Sequence, residues 1–99
     1  MSKFGELISQ NIPVLLDFYT DRDQQTPKMN TVLRNVAANV IGKVKVLKID
    51  VDKNPELVKA LRIKVVPTLM VYKEGDMVWR ESGHLTEENL MIVLKKHFV

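Results

Sequence analysis

The stretch Val14-Leu15-Leu16-Asp17-Phe18-Tyr19, introduced by Asn11-Ile12-Pro13, decides how this chain folds. It is short, partly β-branched and aromatic, and apolar at both parities apart from one acid. A strand with one wet face alternates apolar and polar residues; one that is apolar on both sides lies inside a sheet covered on both faces. The sequence on either side supplies the covers. Upstream, Phe4, Leu7 and Ile8 stand three and four apart and predict a short helix over residues 3–10. Downstream, the polar run Thr20–Gln25 reads as a loop. Thr26-Pro27 then opens a second helix, with Thr26 as N-cap and Pro27 at the first helical position. Met29, Val32, Leu33, Val36, Ala37 and Val40 carry that helix at its proper spacing to a stop at Gly42.

Further out, Val44–Val51 reads as a second strand, and Asn54-Pro55-Glu56 starts a helix continued by Leu57, Val58, Ala60 and Leu61. A third strand spans Val65–Tyr72. Glu74-Gly75-Asp76 turns the chain into a fourth, Met77–Ser82. Thr86 caps a last helix that buries Leu90, Ile92 or Met91, Val93, Leu94 and Phe98, with Glu87 and Glu88 placed well for its dipole. The order is α-β-α-β-α-β-β-α over one domain, residues 1–99. It predicts an α/β fold with a four-stranded mixed sheet flanked by helices on both faces. Met29, Met70, Met77 and Met91 read as core filler.

Composition removes several function classes. With no cysteine among 99 residues, the chain has no disulfide, thiolate nucleophile, iron–sulfur ligand set or cysteine zinc site. His84 and His97 are its two histidines. The net charge of +3 comes from scattered lysines and arginines with acids between them, so solvated surface charge is expected in place of a nucleic-acid face. No apolar run approaches a membrane span, and no signal peptide is visible, so the expectation is a cytoplasmic monomer without membrane contact. Asp50-Val51-Asp52-Lys53-Asn54 imitates the opening of a calcium loop. Pro55 stands where that loop needs glycine, and Leu61 where it needs glutamate. Asp21 and Asp23 fall short of a cation site. No metal and no cofactor are expected.

In this order, several segments resemble the thioredoxin family. Pro13–Tyr19 resembles its central strand with a buried acid, and Lys28-Met29 with Val32-Leu33 the start of its long helix. Val46–Asp52 with Asn54-Pro55 resembles its next strand and turn. Val65-Val66-Pro67-Thr68-Leu69 resembles its cis-proline loop, and Gly75 and Gly83 its hairpin and late glycines. The match covers nearly the whole chain, lacking the family's first edge strand. It implies a cis Val66–Pro67 bond and a buried polar pair of Asp17 and Lys48. It also implies a peptide-binding surface at Tyr19, Val66, Pro67, Gly83 and His84.

The departure is at the redox motif. Where the family carries Trp-Cys-Gly-Pro-Cys-Lys, this chain reads Arg22-Asp23-Gln24-Gln25-Thr26-Pro27-Lys28, one residue longer. Counted from Asp17, the cysteine positions hold Asp23 and Thr26; counted back from Lys28, they hold Gln24 and Pro27. Thr26 cannot take over as nucleophile, because its hydroxyl stays protonated and no general base is identifiable beside it. The leading expectation is a redox-inactive thioredoxin-like module that binds a protein or extended peptide without covalent capture. A thiol–disulfide oxidoreductase or isomerase is the family's activity, opposed by the missing cysteines. A structural subunit docking through the polar loop is the third reading.

Overall fold

The structure, a computed structural model, describes residues 3–98. Four strands, β1 (Val14–Tyr19), β2 (Lys45–Asp50), β3 (Thr68–Lys73) and β4 (Asp76–Ser82), form one sheet in the order β2-β1-β3-β4. β1 runs parallel to β2 and antiparallel to β3, and β3 pairs antiparallel with β4. The helices are α1 (Lys3–Ile8), α2 (Thr26–Asn39), α3 (Pro55–Ala60) and α4 (Glu87–Lys95). The sheet is therefore mixed, and the element order is the expected one.

Because β1 sits between two strands and under two helix layers, Val14, Leu15, Leu16 and Phe18 are all 0 % exposed. Its side chains divide between two cores. Leu15 joins Leu69 and Val71 from β3 with Met29, Leu33, Val36 and Val40 from α2 and its flank, and Leu90 and Leu94 from α4. Val14, Leu16 and Phe18 join Met70 and Tyr72 with Ile8, Ile49 and Ile63, and Phe4, Leu57 and Leu61 pack against that side. Phe4 meets Tyr72 edge to face at 5.5 Å between ring centres, a favoured aromatic arrangement. Met77, by contrast, is 42 % exposed on the edge strand β4 and fills no core.

Three local features differ from the sequence reading for reasons visible in their bonds or backbone angles. β3 begins at Thr68 and not Val65: the Val66–Pro67 bond is cis, and Pro67 has no N–H for a ladder. The hairpin turn is the two residues Glu74 and Gly75, both at positive φ (51° and 90°), so Asp76 already belongs to β4. Paired positive φ values suit the right-handed twist of the flanking strands. The turn is docked by the Gly75 N–H donating to the Ile8 carbonyl at 3.0 Å. Thirdly, α2 carries no side-chain N-cap. The residue before it, Gln25, makes none, and the Thr26 hydroxyl donates backward to the Thr20 carbonyl at 2.7 Å. Thr86 does cap α4, accepting from the Asn89 N–H at 3.1 Å.

The Arg80 guanidinium reaches from β4 to the carbonyls of Leu61 and Arg62, where α3 ends. A cation there satisfies carbonyls that have lost their helical partners. Replacing Arg80 with alanine is expected to cost about 1 kcal/mol, seen as a lower urea midpoint with an unchanged slope. An unaltered midpoint would mean that these contacts contribute nothing.

Candidate functional site

At the C-terminal end of β1 the chain makes a compact polar knot. The Thr20 carbonyl accepts from the Asp23 N–H at 3.2 Å and from the Thr26 hydroxyl, and the Thr26 N–H donates to the Asp23 carbonyl at 3.1 Å. The Asp23 carboxylate accepts from the Gln25 N–H at 2.9 Å, an Asx-type turn. With Pro27 contributing no N–H, the amides of residues 25 and 26 that lead into α2 are already engaged. The positive end of the α2 dipole thus has an internal anion beside it.

The same loop is tied to the far side of β1. The Arg22 guanidinium donates to both Asp52 oxygens, Nη2 to Oδ1 at 2.7 Å and Nε to Oδ2 at 3.3 Å. The Thr20 hydroxyl donates to Asp52 Oδ2 at 2.6 Å and accepts from the Arg22 N–H at 3.2 Å. These bonds, led by that from Arg22, hold the Asp52 carboxyl below the usual carboxylate range. Asp52 is in turn oriented through its own N–H, which the Asp50 carboxylate accepts at 2.8 Å. The Asp21–Gln25 segment is clamped at both ends. The sequence reading missed this clamp, whose partners lie thirty residues apart.

Facing the knot is the proline loop. The Pro67 carbonyl accepts from the Gly83 N–H at 2.8 Å, which fixes the loop against the end of β4. Gly83 lies at φ 104°, where a side chain would be strained. Thr68 anchors the next residue, donating to the Val65 carbonyl at 2.6 Å and meeting the Ser82 hydroxyl at 2.9 Å. Val66 is half-buried, and neither its N–H nor its C=O is paired among the described residues. His84 follows Gly83, and its Nε2 lies 3.7 Å from Asp23 Oδ2, linking the rim to the loop.

Of the five residues expected on a binding surface, the structure gathers Val66, Pro67, Gly83 and His84. Pro67 is buried, so its contribution is the placement of Val66 and Gly83 rather than contact. Tyr19 stands apart. Its ring carries the Lys48 ammonium at 4.3 Å, and it lines a different cleft with Phe4, Asp50 and Leu57. The five residues 23–27 at the redox-motif positions make up the knot: Asp23, Thr26 and the Gln25 amide are its bonds, Gln24 and the Gln25 side chain are exposed, and Pro27 sits inside α2.

The expected buried pair of Asp17 and Lys48 is corrected. Their backbones are register partners across β1 and β2, but Lys48 is exposed on the edge strand. A lysine on an edge keeps its strongly hydrated ammonium in water, and here the Tyr19 ring gives it a cation–π partner. Asp17 is left alone at 1 % exposure, with no hydrogen-bond partner for either oxygen among the described residues. Burial pushes its carboxyl up to about 6, against a smaller opposing pull from Lys48.

Beside His84 a cleft of about 380 Å³ opens between the starts of α2 and α4, lined by Gln25, Lys28, Met29, Val32, His84, Leu85, Thr86 and Glu87. Of these, the sequence pointed to His84 and Gln25; nothing in it distinguished Met29, Val32, Thr86 and Glu87 from core and cap. Among the described residues, no three His, Asp or Glu side chains converge as metal ligands. No helix there is long and apolar enough to cross a membrane.

The Thioredoxin family model matches residues 1–96. The chain is 35 % identical over 96 residues to a thioredoxin of Staphylococcus haemolyticus, covering 97 % of this chain and 91 % of that one. It is 32 % identical over 92 residues to thioredoxin 1 of a Nostoc species, covering 93 % and 86 %. A thioredoxin variant from Halobacterium salinarum superposes with a TM-score of 0.89 at 28 % identity, covering 100 % of this chain and 86 % of that one. The oxidised thioredoxin of Plasmodium falciparum gives 0.83 at 26 %, covering 100 % and 93 %.

The state of Asp17 has a consequence for stability. A folded-state value of about 6 against 3.8 means no penalty below 3.8, a growing one as pH rises towards 6, and the full penalty above. Asp17→Ala should therefore gain stability over the parent between about pH 4 and about pH 8, by roughly 2–3 kcal/mol. Denaturation curves of both proteins across that range check it. A difference that stays flat or falls with rising pH would show that the carboxylate is compensated.

Proposed function

Because this chain belongs to the thioredoxin family and contains no cysteine, we propose that it is a redox-inactive, non-covalent binding module. Its ligand is an extended segment of a protein or peptide, taken at the rim formed by Val66, Gly83 and His84. The observation that carries this reading is the unpaired backbone of Val66 beside a loop held in place by the Gly83–Pro67 bond. A free N–H and C=O on one residue can pair with a passing chain as a neighbouring strand would. Neither group has to leave a bond within the described residues before it pairs with a partner.

Reducing a disulfide needs a thiolate that attacks one of its sulfurs and a second thiol that resolves the mixed disulfide so formed. This chain supplies neither. At the place where a redox relative would stabilise a thiolate, Asp23 already serves the loop amides as a resident anion. The Arg22–Asp52 pair and the Thr20 and Thr26 bonds support one arrangement of this loop. A pre-shaped surface lowers the entropy lost on binding, which suits recognition without covalent capture. Cytoplasmic action as a monomer belongs to the same reading.

Two measurements test it. With insulin as substrate, turbidity from reduced chains should not rise above that of dithiothreitol alone; acceleration by protein free of host thioredoxin would contradict redox inactivity. Titration of the 15N-labelled protein with alkylated insulin B chain, an unfolded chain without free thiols, should give a dissociation constant of roughly micromolar, about 8 kcal/mol. Shifts should concentrate at Thr20–Thr26, Val65–Thr68 and Gly83–His84. Shifts clustered at 59–64 or 95–97, or none at all, would overturn the reading.

A further inference from the structure

The sheet ends in β2 on one side and β4 on the other, and the two edges are not alike. β4 is bulged: Val71 pairs with Trp79 and Tyr72 with Met77, which leaves Val78 unmatched. A bulge turns an edge away from a further strand. β2 keeps an unbroken register with β1 over Lys45–Asp50. The Lys45 N–H donates to the Pro13 carbonyl, on the β1 side. Backbone groups of successive residues point to opposite sides of a strand, so those of Val46 and Lys48 face outward. Among the described residues, nothing beyond β2 pairs with them.

A cleft flanks this edge on each face of the sheet, and Lys48 lines both. On the α2 side, about 310 Å³ opens between Arg34 on the helix and Val46 and Lys48 on the strand, with no carboxylate in its walls. On the opposite side, about 400 Å³ has Phe4, Leu7 and Ile49 as apolar wall, with Lys3, Lys53 and one acid, Asp50. The two clefts thus hold four cations, Lys3, Arg34, Lys48 and Lys53, against that single carboxylate. None of the four lies within ion-pair distance of a carboxylate among the described residues. Asp17, buried on β1 as the register partner of Lys48, can offset that one lysine. The edge therefore stays cationic.

We propose that the outer edge of β2 is a second interaction surface, which takes an extended acidic segment of a partner protein as a fifth strand. Backbone pairing at Val46 and Lys48 holds the segment. Its successive side chains turn to opposite faces. Alternate residues then meet Arg34 and Lys48 on one side, and Phe4, Leu7 and Ile49 on the other. Glutamates suit the first set and apolar residues the second. A second copy of this chain is the poorer occupant, because it would bring Arg34, Lys45 and Lys48 of both copies to one seam of like charge. Lysines on an edge turn away neutral and basic strands; towards an acidic strand they attract, and that difference is the selectivity of the surface. Neither cleft contains Val66, Gly83 or His84, so this surface and the rim stand or fall separately.

Three synthetic peptides test it, titrated into 15N-labelled protein at low ionic strength. The first is Thr-Glu-Val-Glu-Val-Glu-Thr, and the second has Gln for every Glu. The third is the acidic peptide with every internal amide N-methylated, which keeps the charge and removes the strand donors. The acidic peptide should shift the Val46 and Lys48 amides and slow their hydrogen exchange by about tenfold or more. The Gln peptide should bind about tenfold more weakly, and the N-methylated one should leave that exchange unchanged. Arg34→Gln, an exposed change on α2, should narrow the gap between the Glu and Gln peptides about threefold. Equal affinity for Glu and Gln peptides, or slowed exchange with the N-methylated one, would overturn the proposal. So would Val46 and Lys48 shifts that grow with protein concentration alone, which would seat a second copy there. Shifts at Val66 and Gly83 without any at Val46 and Lys48 would overturn this surface and leave the rim reading intact.

Discussion

The two-sided burial of β1 is the constraint on which everything else depends. A strand that is paired on both edges and apolar on both faces needs helices above and below, and the sequence spends α2 and α4 on one side and α1 and α3 on the other. The loop leaving β1 must then cross from sheet to α2 within Thr20–Gln25. The polar knot is the consequence: carbonyls and amides released from strand and helix have to bond to one another. Asp17 is the exception inside this strand, a carboxyl held where charge is costly.

Loss of the cysteines did not empty the site. Asp23 engages the Gln25 amide, Thr26 ties back to Thr20, and Arg22 bridges to Asp52. Such a network fixes the loop while the opposing Val66 backbone is left open. The proposed rim draws on that contrast, with backbone pairing at Val66 as its grip.

Much of the fold was legible because its signals are local. Apolar periodicity located α2 and α4, Thr86 announced the α4 cap, and the unbroken run Val14–Phe18 located the sheet centre. The site was legible only in part. Val66, Pro67, Gly83 and His84 come together, whereas Tyr19 turns to Lys48 and a separate cleft. Lys48 was misplaced because register opposes it to Asp17 while solvent draws its ammonium away. Thr26 had the composition of a cap, but its hydroxyl found the Thr20 carbonyl closer to hand. Contacts such as Arg22 with Asp52, thirty residues apart in sequence, leave no periodic trace. Nor does a cleft built where two helix starts meet.

The central claim is that the Val66 backbone stands open for a partner strand, and amide hydrogen exchange at Val66 reads it most directly. In the free protein this amide should exchange at close to the rate of an unprotected loop. At saturation with alkylated insulin B chain it should slow by about tenfold or more, as a new interchain hydrogen bond requires. A Val66 amide already protected in the free protein, or one whose exchange is unchanged at saturation, would contradict the account.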